Sequence, residues 1–421
     1  MLRTKTWWFD DYETRNLFLA GGASSQRGLR ANFLAPKTFI GSQALKVFLE
    51  EVADGLLQKR ALFITDEVMA PAAREVAERF SRFNFEVEVW DGVQNEAPLS
   101  NIKEGARMAR EYRPFLLVAF GGGSVIDAAK AIFILYEKDM DIRRVHPLEA
   151  LGLRRKGLLM AIPTTSGTGS ESTLAAVITD DEEEIPVKAP VMHGEIVPDF
   201  AIVDSRYVMG MPVGLTMGSG LDVLTHAVEA YISSWSIDYT DPLALQAVRL
   251  VLEYLPRSVQ NGKDREARYK MHVASNLAGL SFANANVGLA HSAGHAFGKV
   301  FNVHHGIAVG LFLPYVLQHS SRITSKGDAL ARELGLLPRE EDKEGKGTSV
   351  LVERFRELYR LVGGPMAGKE LLVEKDFQEN LELLCQAANE DVVSLVAVRP
   401  INLEGYRTFM EYVFYGRDID F

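Results

Sequence analysis

The apolar pattern of this 421-residue chain changes near residue 210. Before that point, short apolar runs such as ALFIT (61–65), EVEVW (86–90) and FLLVAF (115–120) alternate with stretches whose apolar residues recur at helical spacing. Strands that alternate with helices are typical of a parallel α/β sheet. After that point the strand-like runs stop and the helical spacing continues, which predicts an all-helical second half.

Other segments complete the predicted organisation. They are a strand at 36–40, a helix at 44–57, and strands at 158–165 and 201–204. The run AAVITD (175–180), followed by acidic residues, predicts a hairpin. The chain therefore divides into an N-terminal extension (1–30), an α/β domain (31–210) and a helical domain (211–421). The extension carries three consecutive aromatic residues (7–9), as expected of a segment that packs against another surface, such as a neighbouring subunit.

Charge and composition exclude several classes of protein. Lysine and arginine number 46 against 56 acidic residues, a net charge of −10, which does not favour a nucleic-acid partner. The longest apolar stretches, such as 307–317, are too short to span a membrane, and the charged N-terminus lacks the apolar segment of a signal peptide, so we expect a cytoplasmic protein. The single cysteine, Cys385, excludes an intramolecular disulfide, and its helical surroundings predict a buried apolar position.

A glycine-rich turn separates the apolar strand FLLVAF from the helical pattern VIDAAKAI. Glycines let a ligand approach the backbone, and the following helix start offers free N–H groups to an anion such as phosphate. Gly122, Gly123 and Ser124 are therefore candidate phosphate contacts. The turn is not GxGxxG, and the alternative is a tight strand-to-helix connection that binds nothing.

Two further features point to a nucleotide. The segment PTTSGTGSE (163–171) combines hydroxyl groups with backbone freedom, so Thr164, Thr165 and Thr168 are candidate contacts; the alternative is a polar loop. Asp66 follows the strand ALFIT. A carboxylate at that position accepts hydrogen bonds from ribose hydroxyls and repels a 2′-phosphate, whereas the alternative is that it caps the next helix.

Five of the nine histidines fall in two windows of the helical half. Asp222 and His226 are four residues apart and share one face of an otherwise apolar helix. His291 and His295 repeat this spacing, and His305 lies ten residues beyond. Buried charge needs a partner, which a divalent metal such as Fe²⁺ or Zn²⁺ supplies; buried core polar residues are the alternative. Spacing alone does not decide between His291 and His295 as a ligand.

These motifs resemble those of the iron-containing (group III) alcohol dehydrogenases. The resemblance runs from about residue 32 to the C-terminus, and GLDVLTHAVEAY (220–231) with GLAHSAGHAFGKVFNVHHG (288–306) are its most specific parts. The family combines a Rossmann-like dinucleotide-binding domain with a helical metal-binding domain, a dehydroquinate synthase-like architecture. It implies four metal ligands, Asp222, His226, His291 and His305. It also implies a proton relay at His295 and a cofactor contact at Lys188.

The resemblance implies metal-dependent hydride transfer between NAD(H) and a small primary alcohol, diol or aldehyde, and Asp66 favours NAD over NADP. We expect Fe²⁺ as the metal, with Zn²⁺ as the alternative, and a homodimer or larger homo-oligomer with no nucleic-acid or membrane partner. The chain departs from the family at Glu96, an acid where asparagine is usual. Alternative functions are a hydroxy-acid or glycerol dehydrogenase of the same fold, and an assembly subunit with little catalytic activity. A dehydroquinate synthase is disfavoured because no cluster of basic residues accompanies the histidines.

Overall fold

The computed structural model describes residues 11–16, 33–182, 187–337 and 346–421, and the structural statements below concern these residues. Residue contacts divide them into an α/β unit up to Met209, which includes residues 11–16, and a helical unit from Gly210 to Phe421. The predicted N-terminal extension, apart from residues 11–16, lies outside the described residues, and so do parts of the hairpin turn at 181–184 and of the charged stretch at 340–347.

The α/β unit contains a six-stranded sheet in which every neighbouring pair is parallel. Numbered in chain order among all strands, its members are β1 (Lys37–Ile40), β2 (Arg60–Ile64), β3 (Glu86–Trp90), β4 (Leu116–Gly121), β5 (Leu158–Pro163) and β8 (Phe200–Val203). Their order across the sheet is β1-β8-β5-β4-β2-β3. The predicted parallel α/β sheet is therefore confirmed.

Burial explains the two kinds of strand sequence. Every residue of the central strand β4 is buried, as its uninterrupted apolar run requires when helices cover both faces of the sheet. The edge strand β3 instead alternates more and less exposed residues, in agreement with its alternating sequence. The helices of this unit are α1 (Ala44–Glu51), α2 (Ala70–Ser81), α3 (Leu99–Tyr112) and α4 (Gly123–Glu137).

The helix predicted over 44–57 is wrong in its C-terminal part. Helix α1 ends at Glu51, and a short 3₁₀ turn follows at Ala53–Gly55. The pair Asp54-Gly55 explains the early end, because both residue types have low helix propensity.

The predicted hairpin forms a separate two-stranded sheet. Strands β6 (Ala175–Asp180) and β7 (Val187–Met192) pair antiparallel, with Thr179 opposite Lys188. Buried residues of this hairpin, including Ala176 and Ile178, belong to the same apolar cluster as α3 and α4. The hairpin is therefore anchored to the helix that follows the glycine turn.

The second unit is helical throughout its described residues. Its helices are α5 (Val213–Ile232), α6 (Asp241–Gln260), α7 (Arg265–Ala285), α8 (Leu289–Phe301), α9 (His305–Ser320), α10 (Lys326–Glu333), α11 (Lys346–Val362), α12 (Glu374–Asn389) and α13 (Leu403–Tyr415). Cys385 is buried in the core of this unit, as predicted. None of the helices among the described residues is long and apolar enough to cross a membrane.

A buried histidine near the end of α9 is expected to make the stability of the protein depend on pH. The Nδ1 atom of His319 lies 3.2 Å from an Arg399 guanidinium nitrogen, and the ring is 3% exposed. Burial, with the charge of Arg399, lowers the pKa of His319 from 6.5 to about 4. Between these two values the unfolded chain binds the proton and the folded chain does not, so acid favours unfolding.

We expect His319→Asn to reduce the loss of stability on acidification. Asparagine keeps an acceptor for Arg399 but does not titrate. Between pH 6.5 and pH 4, the free energy of unfolding of the wild-type protein should fall by up to about 3 kcal/mol more than that of the variant. Chemical denaturation of both proteins across this range measures the difference. Parallel curves would contradict the assignment.

Candidate functional site

Three helices of the second unit carry the acidic residue and the histidines singled out in the sequence. Asp222 and His226 lie one turn apart on α5 and are both buried. His291 and His295 lie one turn apart on α8, and His305 is the first residue of α9. The two i,i+4 pairs therefore form as the sequence predicts.

The structure brings four of these side chains to one point. Asp222 Oδ1 lies 3.6 Å from His226 Nδ1, 3.8 Å from His291 Nε2 and 3.3 Å from His305 Nε2. One donor atom from each of the four residues lies within 4.8 Å of the other three. These residues are the same four that the family resemblance implies as metal ligands.

Glycines permit the close helix approach that this arrangement needs. A Cβ atom at Gly306, next to His305, would lie 2.1 Å from the Gly218 carbonyl oxygen on α5. A Cβ atom at Gly294, between the two histidines of α8, would lie 2.6 Å from the Val309 Cα on α9. No side chain fits at either position, so α5 and α8 can each approach α9 closely only because these residues are glycine.

The buried polar atoms of the cluster fit a divalent cation. Asp222 Oδ1, His226 Nδ1 and His291 Nε2 are buried, and within the described part of the chain none of them makes a hydrogen bond of acceptable geometry. Buried polar atoms without partners are costly, so native proteins keep them where an ion or other ligand completes the site. One carboxylate and three imidazoles suit Fe²⁺ or Zn²⁺.

Electrostatics keep the cluster in the protonation state that ligands need. Burial, reinforced by the neighbouring imidazoles, lowers the pKa of His226 to about 3 and that of His291 well below its usual value. Although burial raises the pKa of Asp222, the three histidines reverse this effect and hold it below its usual value. At pH 7 the two buried rings are neutral and the carboxylate is charged, which is the set that binds a cation.

Glu229, to which the sequence analysis gave no role, orients one of the rings. Its Oε2 atom lies 2.6 Å from His291 Nδ1, and the carboxylate accepts hydrogen bonds from the backbone N–H groups of Ala290 and His291. This contact turns His291 Nε2 toward Asp222. The signal was present in the sequence, because Glu229 shares the helical face of Asp222 and His226 one turn further on.

We expect Glu229→Gln to weaken metal binding without destroying the site. Loss of the carboxylate that orients a metal-binding histidine typically costs about 10- to 100-fold in metal affinity. Competition with a chromophoric chelator measures the affinity of the variant and the wild-type protein for Zn²⁺. Glu137→Gln, which changes a buried carboxylate in the other unit, is the control and should bind as wild type. Equal affinity of Glu229→Gln and wild type would show that Glu229 does not support the site.

His295 stands apart from the four and has its own partner. Its Nδ1 atom lies 2.8 Å from Asp391 Oδ2, and its ring stacks on His305 with a centroid distance of 5.2 Å. Burial disfavours the charged ring, but the charge and hydrogen bond of Asp391 outweigh this and raise the pKa of His295. The side chain is 37% exposed, so it stands at the rim of the cluster. Asp391 was missed because nothing local in the sequence links it to α8.

The nucleotide candidates of the α/β unit lie where the strands of the sheet end, at its carboxyl-terminal edge. Gly121 of β4 pairs in register with Pro163 of β5, so the glycine turn and the threonine loop leave the sheet side by side. A Cβ atom at Gly122 would lie 3.3 Å from the Thr165 side chain, and one at Gly123 only 2.8 Å from Thr168. Gly123 begins α4, so the N–H groups of its first turn, including that of Ser124, face this edge.

Asp66 lies at the same edge, because β2 is the neighbour of β4. Its Oδ1 atom accepts a hydrogen bond from the Met69 N–H, 2.8 Å away, in the turn before α2. The helix begins at Ala70, so Asp66 supports the turn and is not the N-cap residue of α2. Ligands of open α/β sheets bind beyond the carboxyl ends of the strands, which is where Asp66, Gly122 and Thr164 stand.

Lys188 lies on the hairpin, where its Nζ atom is 3.3 Å from Glu96 Oε2. Glu96 is the acid that stands where the family usually has asparagine, so this departure gives the lysine an ionic partner within the chain. The structure therefore brings Lys188 and Glu96 together.

Comparisons with known proteins agree with this fold. Residues 35–205 match the iron-containing alcohol dehydrogenase model, and residues 216–411 match the C-terminal model of the same family. The NADPH-dependent butanol dehydrogenase of Clostridium saccharobutylicum is 37% identical over 341 residues, 80% of this chain and 86% of the relative. The NAD-dependent methanol dehydrogenase of Bacillus methanolicus is 34% identical over 371 residues, 86% of this chain and 93% of the relative.

A solved structure of a 1,3-propanediol oxidoreductase superposes with a TM-score of 0.83 at 28% identity, covering 91% of this chain and 99% of the other. A parallel-sheet domain followed in the chain by a helical domain is the dehydroquinate synthase-like architecture, and the superposition on this structure supports it. The chain belongs to the iron-containing alcohol dehydrogenase family. It is therefore an oxidoreductase that acts on CH–OH groups.

Proposed function

We propose that this protein is a metal-dependent alcohol dehydrogenase that transfers hydride between NAD(H) and a small primary alcohol, diol or aldehyde. The observation that carries the proposal is the convergence of Asp222, His226, His291 and His305 on one point, where three of their polar atoms are buried and have no hydrogen-bond partner among the described residues. Fe²⁺ is the proposed metal, and Zn²⁺ suits the same ligands.

The four proposed ligand residues differ in exposure, so the site is open to solvent on the side of His305. The Asp222, His226 and His291 side chains are at most 7% exposed, whereas His305 is 42% exposed. A divalent metal bound there supplies Lewis acidity, which stabilises negative charge on the substrate oxygen during hydride transfer. The exposed side of His305 leaves room for an alcohol or aldehyde to reach the site.

His295 is the candidate group that donates or accepts the proton that accompanies the hydride. Aldehyde reduction consumes one hydride and one proton, and alcohol oxidation releases both. With Nδ1 held by Asp391, the ring keeps Nε2 as the atom that gives or takes a proton. The raised pKa keeps a larger fraction of this ring protonated near pH 7 than a free imidazole would have, so the ring can supply a proton.

The edge of the sheet supplies the proposed cofactor site. Gly122, Gly123 and Ser124 cradle the pyrophosphate at the start of α4, where backbone N–H groups and the helix dipole favour an anion. Thr164, Thr165 and Thr168 line the same edge, and Lys188 contributes from the hairpin. The reactive chemistry belongs to the nicotinamide, and the protein supplies binding and orientation.

We expect Asp66→Gly to relax the preference for NADH over NADPH. The carboxylate repels a 2′-phosphate and accepts a hydrogen bond from a ribose hydroxyl, so its loss should shift the ratio of the two kcat/KM values by about tenfold or more toward NADPH. Steady-state assays with both cofactors measure the ratio. Because Asp66 also supports the turn before α2, Asp66→Asn, which keeps an acceptor for Met69, is the companion variant. An unchanged ratio in both variants would exclude Asp66 from cofactor selection.

The proposed function is tested by NADH oxidation with anaerobically purified, Fe²⁺-loaded protein and a series of short aldehydes, hydroxy ketones and keto acids. Turnover that is highest with a short aldehyde, and lost with a chelator, is the expected result. Activity confined to hydroxy ketones or keto acids would indicate a glycerol or hydroxy-acid dehydrogenase of the same fold. No turnover, with metal and NADH both bound, would contradict the proposal. Light scattering on the same sample tests the proposed homo-oligomer.

A further inference from the structure

We infer that Asp127 and Lys130 are positioning residues that hold the threonine loop against the glycine turn. The two residues lie one turn apart on α4, the helix that begins at the glycine turn. The inference rests on the proposed function, because it assigns these residues to the geometry of the cofactor site. Neither residue is among the cofactor contacts proposed above.

Lys130 is fully buried, and within the described residues its ammonium group donates hydrogen bonds to one segment only. Its Nζ atom donates to Ser170 Oγ at 3.0 Å, to Thr173 Oγ1 at 2.8 Å and to the Ala175 carbonyl oxygen at 2.7 Å. The residue has no exposed surface. An ammonium group has three protons to donate, so the three acceptors satisfy it completely.

Asp127 holds the same segment from the preceding turn of α4. Its Oδ1 atom accepts a hydrogen bond from Ser170 Oγ at 2.6 Å, and its Oδ2 atom accepts one from the Val177 N–H at 2.9 Å. The Ser170 hydroxyl therefore donates to Asp127 and accepts from Lys130. Together the two charged residues fix the chain from Ser170 to Val177 against α4.

The fixed segment continues directly from the threonine loop. The Ser170 N–H donates to Thr168 Oγ1 at 3.3 Å, and the Thr168 side chain is the one that stands against Gly123. The N-terminus of α4 thus contacts Thr168 at the glycine turn. Further along the same helix, Asp127 and Lys130 hold the chain that follows Thr168. Movement of Ser170 would move Thr168 away from the proposed pyrophosphate site.

A buried charge carries a desolvation cost that an apolar side chain holding the same loop would avoid. Burial lowers the pKa of Lys130 to about 8, although Asp127 and Glu171 oppose this change. Apolar residues of similar volume often stabilise a core as well as a buried ion pair does. A directional, fully satisfied network instead specifies one arrangement of the groups that it joins. Precise placement of the loop accounts for a lysine at this position.

The test compares nucleotide affinity with stability in two variants and a matched control. Lys130→Met removes the ammonium and keeps the bulk, and Ser170→Ala removes only the shared hydroxyl. Glu137→Gln is the control, because Glu137 is a buried charge at the other end of α4 that accepts hydrogen bonds from the backbone N–H groups of residues 155–157. Fluorescence titration gives the Kd for NADH, and thermal unfolding gives Tm.

We expect the Kd for NADH to rise about 30-fold in Lys130→Met and about fivefold in Ser170→Ala, with no more than about a twofold change in Glu137→Gln even where its Tm falls equally. In steady-state assays the KM for NADH should rise while kcat at saturating NADH stays near the wild-type value. If Lys130→Met fails to fold, Ser170→Ala alone decides. An unchanged Kd in the folded variants, or an equal rise in the control, would overturn the inference. Failure of the wild-type protein to bind NADH or NADPH would instead overturn the proposed function and this inference with it.

Discussion

Replacement of His291 by alanine is expected to remove both the metal and the activity. The His291 ring is 3% exposed and directs its Nε2 atom toward Asp222 Oδ1, 3.8 Å away, so alanine at this position removes one of the four converging ligand atoms. Loss of one of four ligands should lower metal affinity by about a thousandfold or more, and kcat/KM with a short aldehyde should fall at least as far. Elemental analysis and NADH oxidation on the same preparation measure the two losses.

The control for this prediction is His319→Asn, because His319 is also a buried histidine of the helical unit and lies outside the cluster. That variant should retain wild-type metal content and turnover at pH 7. Thermal unfolding of both variants separates a loss of ligands from a loss of fold. A His291→Ala protein that is folded and still carries one metal ion per chain would show that the proposed ligand set is incorrect.

Replacement of His295 by alanine is expected to separate metal binding from turnover. His295 is not one of the four converging residues, so the variant should keep its metal content. General acid–base catalysis by a positioned side chain contributes about 10²- to 10⁴-fold, and kcat should fall within that range. The dependence of kcat on pH should also lose the ionisation that belongs to this ring. Metal analysis, and kcat across the pH range, test both parts.

The companion variant is Asp391→Asn, which keeps a hydrogen-bond acceptor for His295 Nδ1 but removes the charge. It should bind metal normally and show a smaller loss of kcat than His295→Ala. Added imidazole should partly restore turnover to His295→Ala, because the small base can occupy the space of the missing ring. Wild-type turnover in His295→Ala would remove the proton relay from the mechanism.

The strand and helix pattern was largely predictable because each element carries its own signal. β3 coincides with the run EVEVW, and β4 is shifted by only one residue from FLLVAF. The order β1-β8-β5-β4-β2-β3 was not predicted, because strand order depends on packing between segments that are distant in the chain. The early end of α1 was missed because the apolar spacing continues past Asp54-Gly55, where helix propensity is low.

The site was predictable where its parts share a helix and unpredictable where they come from different helices. The pair Asp222 and His226 follows from i,i+4 spacing on one face. His291 and His295 have the same spacing, and what distinguishes them lies elsewhere in the chain. Glu229 on α5 turns His291 toward the cluster, whereas Asp391, about one hundred residues later, holds His295. The spacing of residues within α8 indicates neither contact, so only the family resemblance distinguished the ligand role implied for His291 from the relay role implied for His295.

The most direct test of the central claim is a metal titration of the full-length protein. The protein is stripped of metal by a chelator, and Fe²⁺ is added anaerobically in sub-stoichiometric steps while NADH oxidation with a short aldehyde is followed. If Asp222, His226, His291 and His305 hold one catalytic metal ion, turnover will rise linearly and stop rising at one Fe²⁺ per chain. Full turnover in the stripped protein, or the same response in His291→Ala, would contradict the account.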